Sequence, residues 1–332
     1  MAAYTTIDNP EAYFQVKLYT GDGSTVAHTL DGDTDMQPDM VWIKSRSGTY
    51  SHILHDSVRG ATKELKPNGT NAEGTDTDGL TAFGSDGFSL GTGGAVNVNT
   101  GTYVAWCWKE SATAGFDIVS YAGNGSAGLT VSHSLSAVPK LMIVKNRSGS
   151  YSWAVYHGAN TSAPETDSLF LDVTDATSDR LAEWNDTAPT SSIFTVSDGN
   201  SVNNSSENFI AYLWRSVQGF SKFGSYTGNG NADGTFVYTG FRPAWILTKE
   251  TSGVASWRII DNKRDTINPA QTNLYPNQDS ADYTEYPIDI LSNGFKIKHS
   301  GGGQNESGAS YIYMAFAEAP FVNSNGVPCN AR

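Results

Sequence analysis

Three times along the 332-residue sequence, five landmarks return in one order at near-constant spacing. A Tyr opens a Gly-rich turn at Tyr19 (YTGDG), Tyr121 (YAGNG) and Tyr226 (YTGNG). A Pro and, six residues on, a Lys then bracket an apolar run: Pro38 to Lys44, Pro139 to Lys145, and Pro243 to Lys249. Eight residues after each Lys stands His52, Trp153 or Trp257. A Phe follows at Phe88, Phe194 and Phe295, and each set closes on YVAWCW (103–108), FIAYLW (209–214) or YIYMAF (311–316). Chance does not produce such a series. The chain therefore divides into 1–112 with a short N-terminal arm, 113–218, and 219–332 with a short C-terminal tail. A period of about 100 residues is too long for small solenoid repeats, so each unit is expected to be self-contained.

Helical periodicity is nearly absent; residues 176–184 come closest, with two turns at most. Elsewhere short apolar runs are bounded by Gly, Asn and Asp, the material of tight turns. The expected fold class is all-β: three tandem antiparallel β-sandwich domains of jelly-roll or lectin-like kind. With Arg46-Ser47-Gly48 as a turn, a hairpin centred on Gly48 sets Lys44 opposite His52. The same arithmetic sets Lys145 opposite Trp153 and Lys249 opposite Trp257. A Lys over an indole gives a cation–π contact of about 0.5–1 kcal/mol. Such a pair can be read as a ligand patch, but its return with every copy favours a framework role. The closing strands are apolar on both faces, with Val104, Trp106 and Trp108 on one side and Tyr103, Ala105 and Cys107 on the other. One face fills a sandwich, and the other needs a neighbouring unit or another chain. Cys107 aligns with Leu213 and Ala315, which makes it a small buried hydrophobe.

A net charge of -13 argues against nucleic acid and against an anionic membrane as direct partners. No signal peptide or membrane-length apolar run is visible, and Cys107 and Cys329 do not suggest a disulfide. Asn-x-Ser/Thr triplets such as Asn146-Arg147-Ser148 then carry no weight as glycosylation sites. Residues 123–128 (GNGSAG) fit G-x-G-x-x-G, yet no helix follows to receive a phosphate, so no cofactor is expected. Asp31-Gly32-Asp33-Thr34-Asp35 departs from a calcium loop at Met36 and Trp42; a loop-bound Ca²⁺ there, or at Asp76-Thr77-Asp78, is the minor reading against solvated turn acids. His52 and His55, at i and i+3 on a strand, face opposite ways and make no metal clamp. No nucleophile–base motif stands out, so no catalytic, metal or cofactor residue is assigned and no enzyme activity is expected.

The third unit, from GSYTGNG (224–230) through FVYTGFRPA (236–244), LSNGFK (291–296) and YIYMAFAEAPF (311–321), resembles a domain widespread in proteins of marine bacteriophages. PKLMIVKNRS and WNDTAPTSSIF in the second unit, and PDMVWIKSRSG with HDSVRG (55–60) in the first, resemble companion segments of such proteins. More distantly, the class is similar to SPRY and lectin-like sandwiches. The resemblance implies a virion structural protein, of the tail-fibre, tail-tip or appendage kind, assembled in the host cytoplasm. It would pack with other virion proteins and with itself, usually as a trimer, and contact a host-surface glycan. Capsid decoration or a head fibre is the alternative, and a glycan-degrading depolymerase a weaker one. Ligand residues are expected where the copies differ, in loops 59–82, 158–190 and 261–287.

Overall fold

The computed structural model describes residues 3–329, and they form an all-β, β-sandwich-like architecture of several antiparallel sheets. Three sheets repeat one strand order. The first runs Phe14–Thr20, Thr102–Trp108, Met40–Ser45, Ile53–Asp56. The second begins with Phe116–Ala122, Asn208–Trp214, Leu141–Asn146, Ala154–His157, and the third is Ser221–Thr227, Ser310–Pro320, Phe241–Glu250, Arg258–Asp261. In each, the closing strand lies between the first strand and the Pro-to-Lys strand, and both of these central strands bury apolar side chains on two faces. Ile43 pairs with Ile53, Val144 with Ala154 and Thr248 with Arg258, the registers that the turn-centred hairpin requires. The 176–184 segment supplies one helical turn, Leu181–Trp184.

Each large sheet buries its outer face under a smaller layer. Tyr103, Ala105 and Cys107 belong to one such outer core with Phe88. Phe209, Ala211 and Leu213 join Phe194, and Tyr311, Tyr313 and Ala315 join Phe295. The opening Tyr of each copy stacks on the closing strand, at 5.1 Å on Tyr103, 5.1 Å on Phe209 and 4.8 Å on Tyr311.

The inner faces meet one another. Val104, Trp106 and Trp108, with Ile210, Tyr212 and Trp214, and with Ile312, Met314 and Phe316, form one apolar cluster drawn from all three copies. Trp245 lies 5.5 Å from Trp108, and Phe14 stacks on Phe316 at 5.0 Å. The neighbour that each second face needs is therefore in the same chain. The three sheets thus share a core, since none can cover its own inner face. The N-terminal arm closes the arrangement. Thr5 donates to the Gln218 carbonyl at 2.7 Å, and Asp8 accepts the Ser324 N–H at 2.7 Å.

One repeated device escaped the sequence reading. A buried Asn stands five residues before each closing strand, at Asn97, Asn203 and Asn305. Its amide accepts from the Gly-rich turn (the N–H of Asp22, Asn124 or Asn229) and donates to carbonyls on both sides. A Cβ on Gly21, Gly123 or Gly228 would come within 2.3, 2.2 and 2.2 Å of a backbone carbonyl oxygen, which explains the Gly at that place. The G-x-G-x-x-G stretch is thus a pinned turn leading into strand Leu129–Ser132.

Candidate functional site

The residues that repetition made conspicuous are structural joints. Lys44, Lys145 and Lys249 are buried, and burial pulls each ammonium down to about 8. They donate to carbonyls: Lys145 to Thr70 at 2.8 Å in the first copy, Lys249 to Thr174 at 3.2 Å in the second, Lys44 to its neighbour Ser45 at 2.7 Å. Lys145 sits 5.8 Å over Trp153, so the cross-strand cation–π pair is present there. The indoles also reach across copies: Trp153 Nε1 donates to Lys66 O at 3.1 Å and Trp257 Nε1 to Phe170 O at 2.8 Å. His52 does the same from the first copy. Trp42 donates to its Nδ1, so Nε2 carries the proton and donates to Tyr275 O at 3.0 Å.

Loops 59–82, 158–190 and 261–287 form the other side of these joints. The N–H groups of Glu73, Thr177 and Asp282 each donate to the next copy, to the carbonyls of Arg147, Thr251 and Arg46, at 2.9, 2.9 and 2.8 Å. Two seams carry buried ion chains. Asp56 pairs with Arg59, which reaches Glu73 at 3.3 Å, and Glu73 reaches Arg147 at 2.7 Å. Asp261, Arg264, Asp282 and Arg46 repeat that chain at 2.6, 3.1 and 2.7 Å. A closing-strand donor completes each, Tyr212 on Asp56 at 2.6 Å and Trp106 on Asp261 at 3.0 Å. In the third seam the matching closing-strand residue is Met314, which has no proton to donate. The acid is replaced there by His157, whose Nε2 donates to Tyr313 O at 3.1 Å, and Arg by Asn160, which accepts from Thr177 at 2.7 Å. Loops expected to carry function because they differ thus differ partly to match the neighbour they lock.

The proposed calcium loops hold no ion set: among the described residues, no group of three His, Cys, Asp or Glu side chains is placed to share a metal. Asp31 pairs with Lys17 at 2.5 Å, and Asp76 accepts the N–H of Asp78 at 2.9 Å. His55 and His52 point to different partners, His55 to Lys63 O.

Beside the linker between the first two copies, Glu110 lies against Asp117 and Asp39. Burial, the hydrogen bond with Asp117 and the two neighbouring charges push its carboxyl up to about 7. A carboxyl raised from 4.5 stabilises the fold fully below 4.5, and that contribution is lost as pH climbs through about 7. The melting-temperature difference between wild type and Glu110→Gln should therefore shrink or reverse from pH 4.5 to 7.5; a flat difference would show that no shared proton exists.

A groove in the third copy lies apart from these joints. Arg258 lies at a place where the other copies put Ile53 and Ala154 in the outer core, by the register of the three hairpins. It is 5% exposed, with its guanidinium 4.0 Å from the Tyr286 ring and 5.9 Å from Tyr275. Nη1 donates to the carbonyls of Gly303 and Ser256, while Nε has no partner. Around it runs an open groove of about 310 Å³, lined also by Tyr283, Gln278, Ser280 and Glu285. That lies within the roughly 300–1,000 Å³ of small-molecule sites. Tyr283 is 52% exposed, and Tyr286 holds a left-handed backbone at φ 51, an uncommon conformation for a bulky residue. Burial raises the Tyr275 phenol to about 12, so it remains a hydroxyl donor at neutral pH. The surface offers aromatic faces, hydroxyls, an amide and a carboxylate, the set needed to stack on and hydrogen-bond a polyhydroxylated ring. The sequence signal was present but unread: aligning WRIID on HILHD and WAVYH places a charge at an apolar core position.

No curated protein matches the chain. One family, described as a domain of unknown function (DUF7483), matches residues 9–320, all three copies together and up to the last residue of the final strand, Pro320. The chain belongs to the DUF7483 family.

Proposed function

We propose that this chain is a non-enzymatic component of a bacteriophage particle, at a tail fibre, tail tip or appendage, that holds a host-surface carbohydrate in the Tyr283–Tyr286 groove. In this reading the three copies are tandem lectin-like sandwiches, two of them acting as framework and the third carrying the ligand. The observation that carries it is the Arg258 substitution at a core position, backed by Tyr286 and opening on exposed Tyr283. The resemblance of the copies to marine phage domains supplies the particle. Purified full-length protein should bind cells or extracted surface polysaccharide of a susceptible host, and Tyr283→Ala should weaken binding about tenfold, the worth of one stacked ring. Melting temperature should stay unchanged. Host polysaccharide left unbound would sink the adhesive reading, and shortened polysaccharide products would favour a depolymerase.

A second, purely structural reading as capsid decoration or head fibre rests on strand Phe236–Tyr238. Phe236 (44% exposed) and Tyr238 (48% exposed) stand where the other copies show Ala27 and Thr29, or Thr130 and Ser132. Exposed aromatics on an edge strand suit a packing neighbour.

A further inference from the structure

We infer that the groove selects neutral saccharides over acidic ones, and that Glu285 sets this preference; the inference rests on the carbohydrate reading above. Arg258 is the cation of the groove, but it is 5% exposed and lies beneath the surface that a ligand meets. Its Nη1 serves the Gly303 and Ser256 carbonyls, and its face is covered by Tyr286. The buried carboxylate of Glu250 lies on the same segment, accepting the Gly303 N–H at 2.9 Å. Arg258 therefore polarises the floor without presenting a fork of donors to a carboxylate ligand.

Glu285 is the opposite case. The residue lines the groove, and its backbone carbonyl, not its side chain, takes the bond from Asn273. At the Tyr275 phenol burial is the largest influence and raises the pKa, while Arg258 lowers it and Glu285 raises it. A carboxylate with free lone pairs accepts from hydroxyls on adjacent ring carbons, and it repels a uronate placed at the same spot. At an effective dielectric of about 20–80 and a few ångströms' separation, that repulsion is worth about tenfold in affinity or more. Tyr283 supplies the stacking face for either sugar, so charge alone separates the two classes.

The test titrates the full chain with gluco-, manno- and galacto-configured trisaccharides and with the matching triuronates, by calorimetry. Wild type should bind at least one neutral trisaccharide about tenfold more tightly than its matching triuronate, and Glu285→Gln should cut that ratio to about twofold. In wild type alone, the ratio should also fall as salt rises from about 0.05 to 0.5 M, a check that needs no variant to fold. Equal binding of a neutral sugar and its uronate, or a ratio unchanged by Glu285→Gln or by salt, overturns the selectivity and leaves the carbohydrate reading standing. Failure of every saccharide to bind overturns both.

Discussion

Replacing Asp261 with Ala should cost about 3–5 kcal/mol, among the largest effects of any single side chain here. The Asp261 carboxylate accepts from Arg264 Nε at 2.6 Å, from Trp106 Nε1 at 3.0 Å and from the Arg264 N–H at 2.9 Å. Removal leaves a fully buried guanidinium with Asp282 as its remaining acid, at 3.1 Å, and an indole N–H without an acceptor. Buried ion pairs add little over apolar packing, but a half-removed pair leaves a desolvated charge, and that asymmetry sets the magnitude. The same change at the neutral seam, His157→Ala, should cost less, about 1–3 kcal/mol, because a neutral hydrogen bond to the Tyr313 carbonyl is lost and no charge is stranded. Urea unfolding of both variants at pH 7 decides it: equal losses would mean that the charged chain is no more demanding than the neutral one.

This contrast shows what the sequence could and could not disclose. The repeats, the hairpin registers and the double-faced closing strands were legible. A strand's side chains alternate strictly, so fixing one turn fixes every partner. Val104, Trp106 and Trp108 announced a covered face in that way. What covers it was not legible, since nothing local distinguishes a second copy in the same chain from another chain. The ion chains were hidden for a related reason: Glu73 meets Arg147 and Asp282 meets Arg46 across long separations. Asp56, His157 and Asp261 align at the ends of HILHD, WAVYH and WRIID, but which closing strand meets each is set by the fold, and only there does Met314 explain the His. Arg258 was hidden by its own copy's regularity. Placed in an ordinary strand, it looks like a surface charge until its counterparts are seen to be Ile53 and Ala154.

The shared core makes a prediction about the whole molecule. Trp245 packs on Trp106 at 6.3 Å, Trp108 at 5.5 Å, Phe14 at 6.4 Å and Phe316 at 6.0 Å, so it touches both the first and third copies. Trp245→Ala should cost about 3–5 kcal/mol, since the surrounding rings cannot collapse into the space an indole leaves. The shape of the transition matters more than its midpoint. Were the three copies independent, the variant would lower one unfolding step and leave the others at the wild-type position. Because the inner faces of all three sheets meet in one apolar cluster, loss of the ring should move a single transition as a whole. Trp fluorescence, far-ultraviolet dichroism and hydrogen exchange on Asn208–Trp214, a second-copy strand, should then report one common midpoint. A second-copy strand that keeps its wild-type protection in the variant would show that the copies fold separately, and that the shared core is contact without cooperativity.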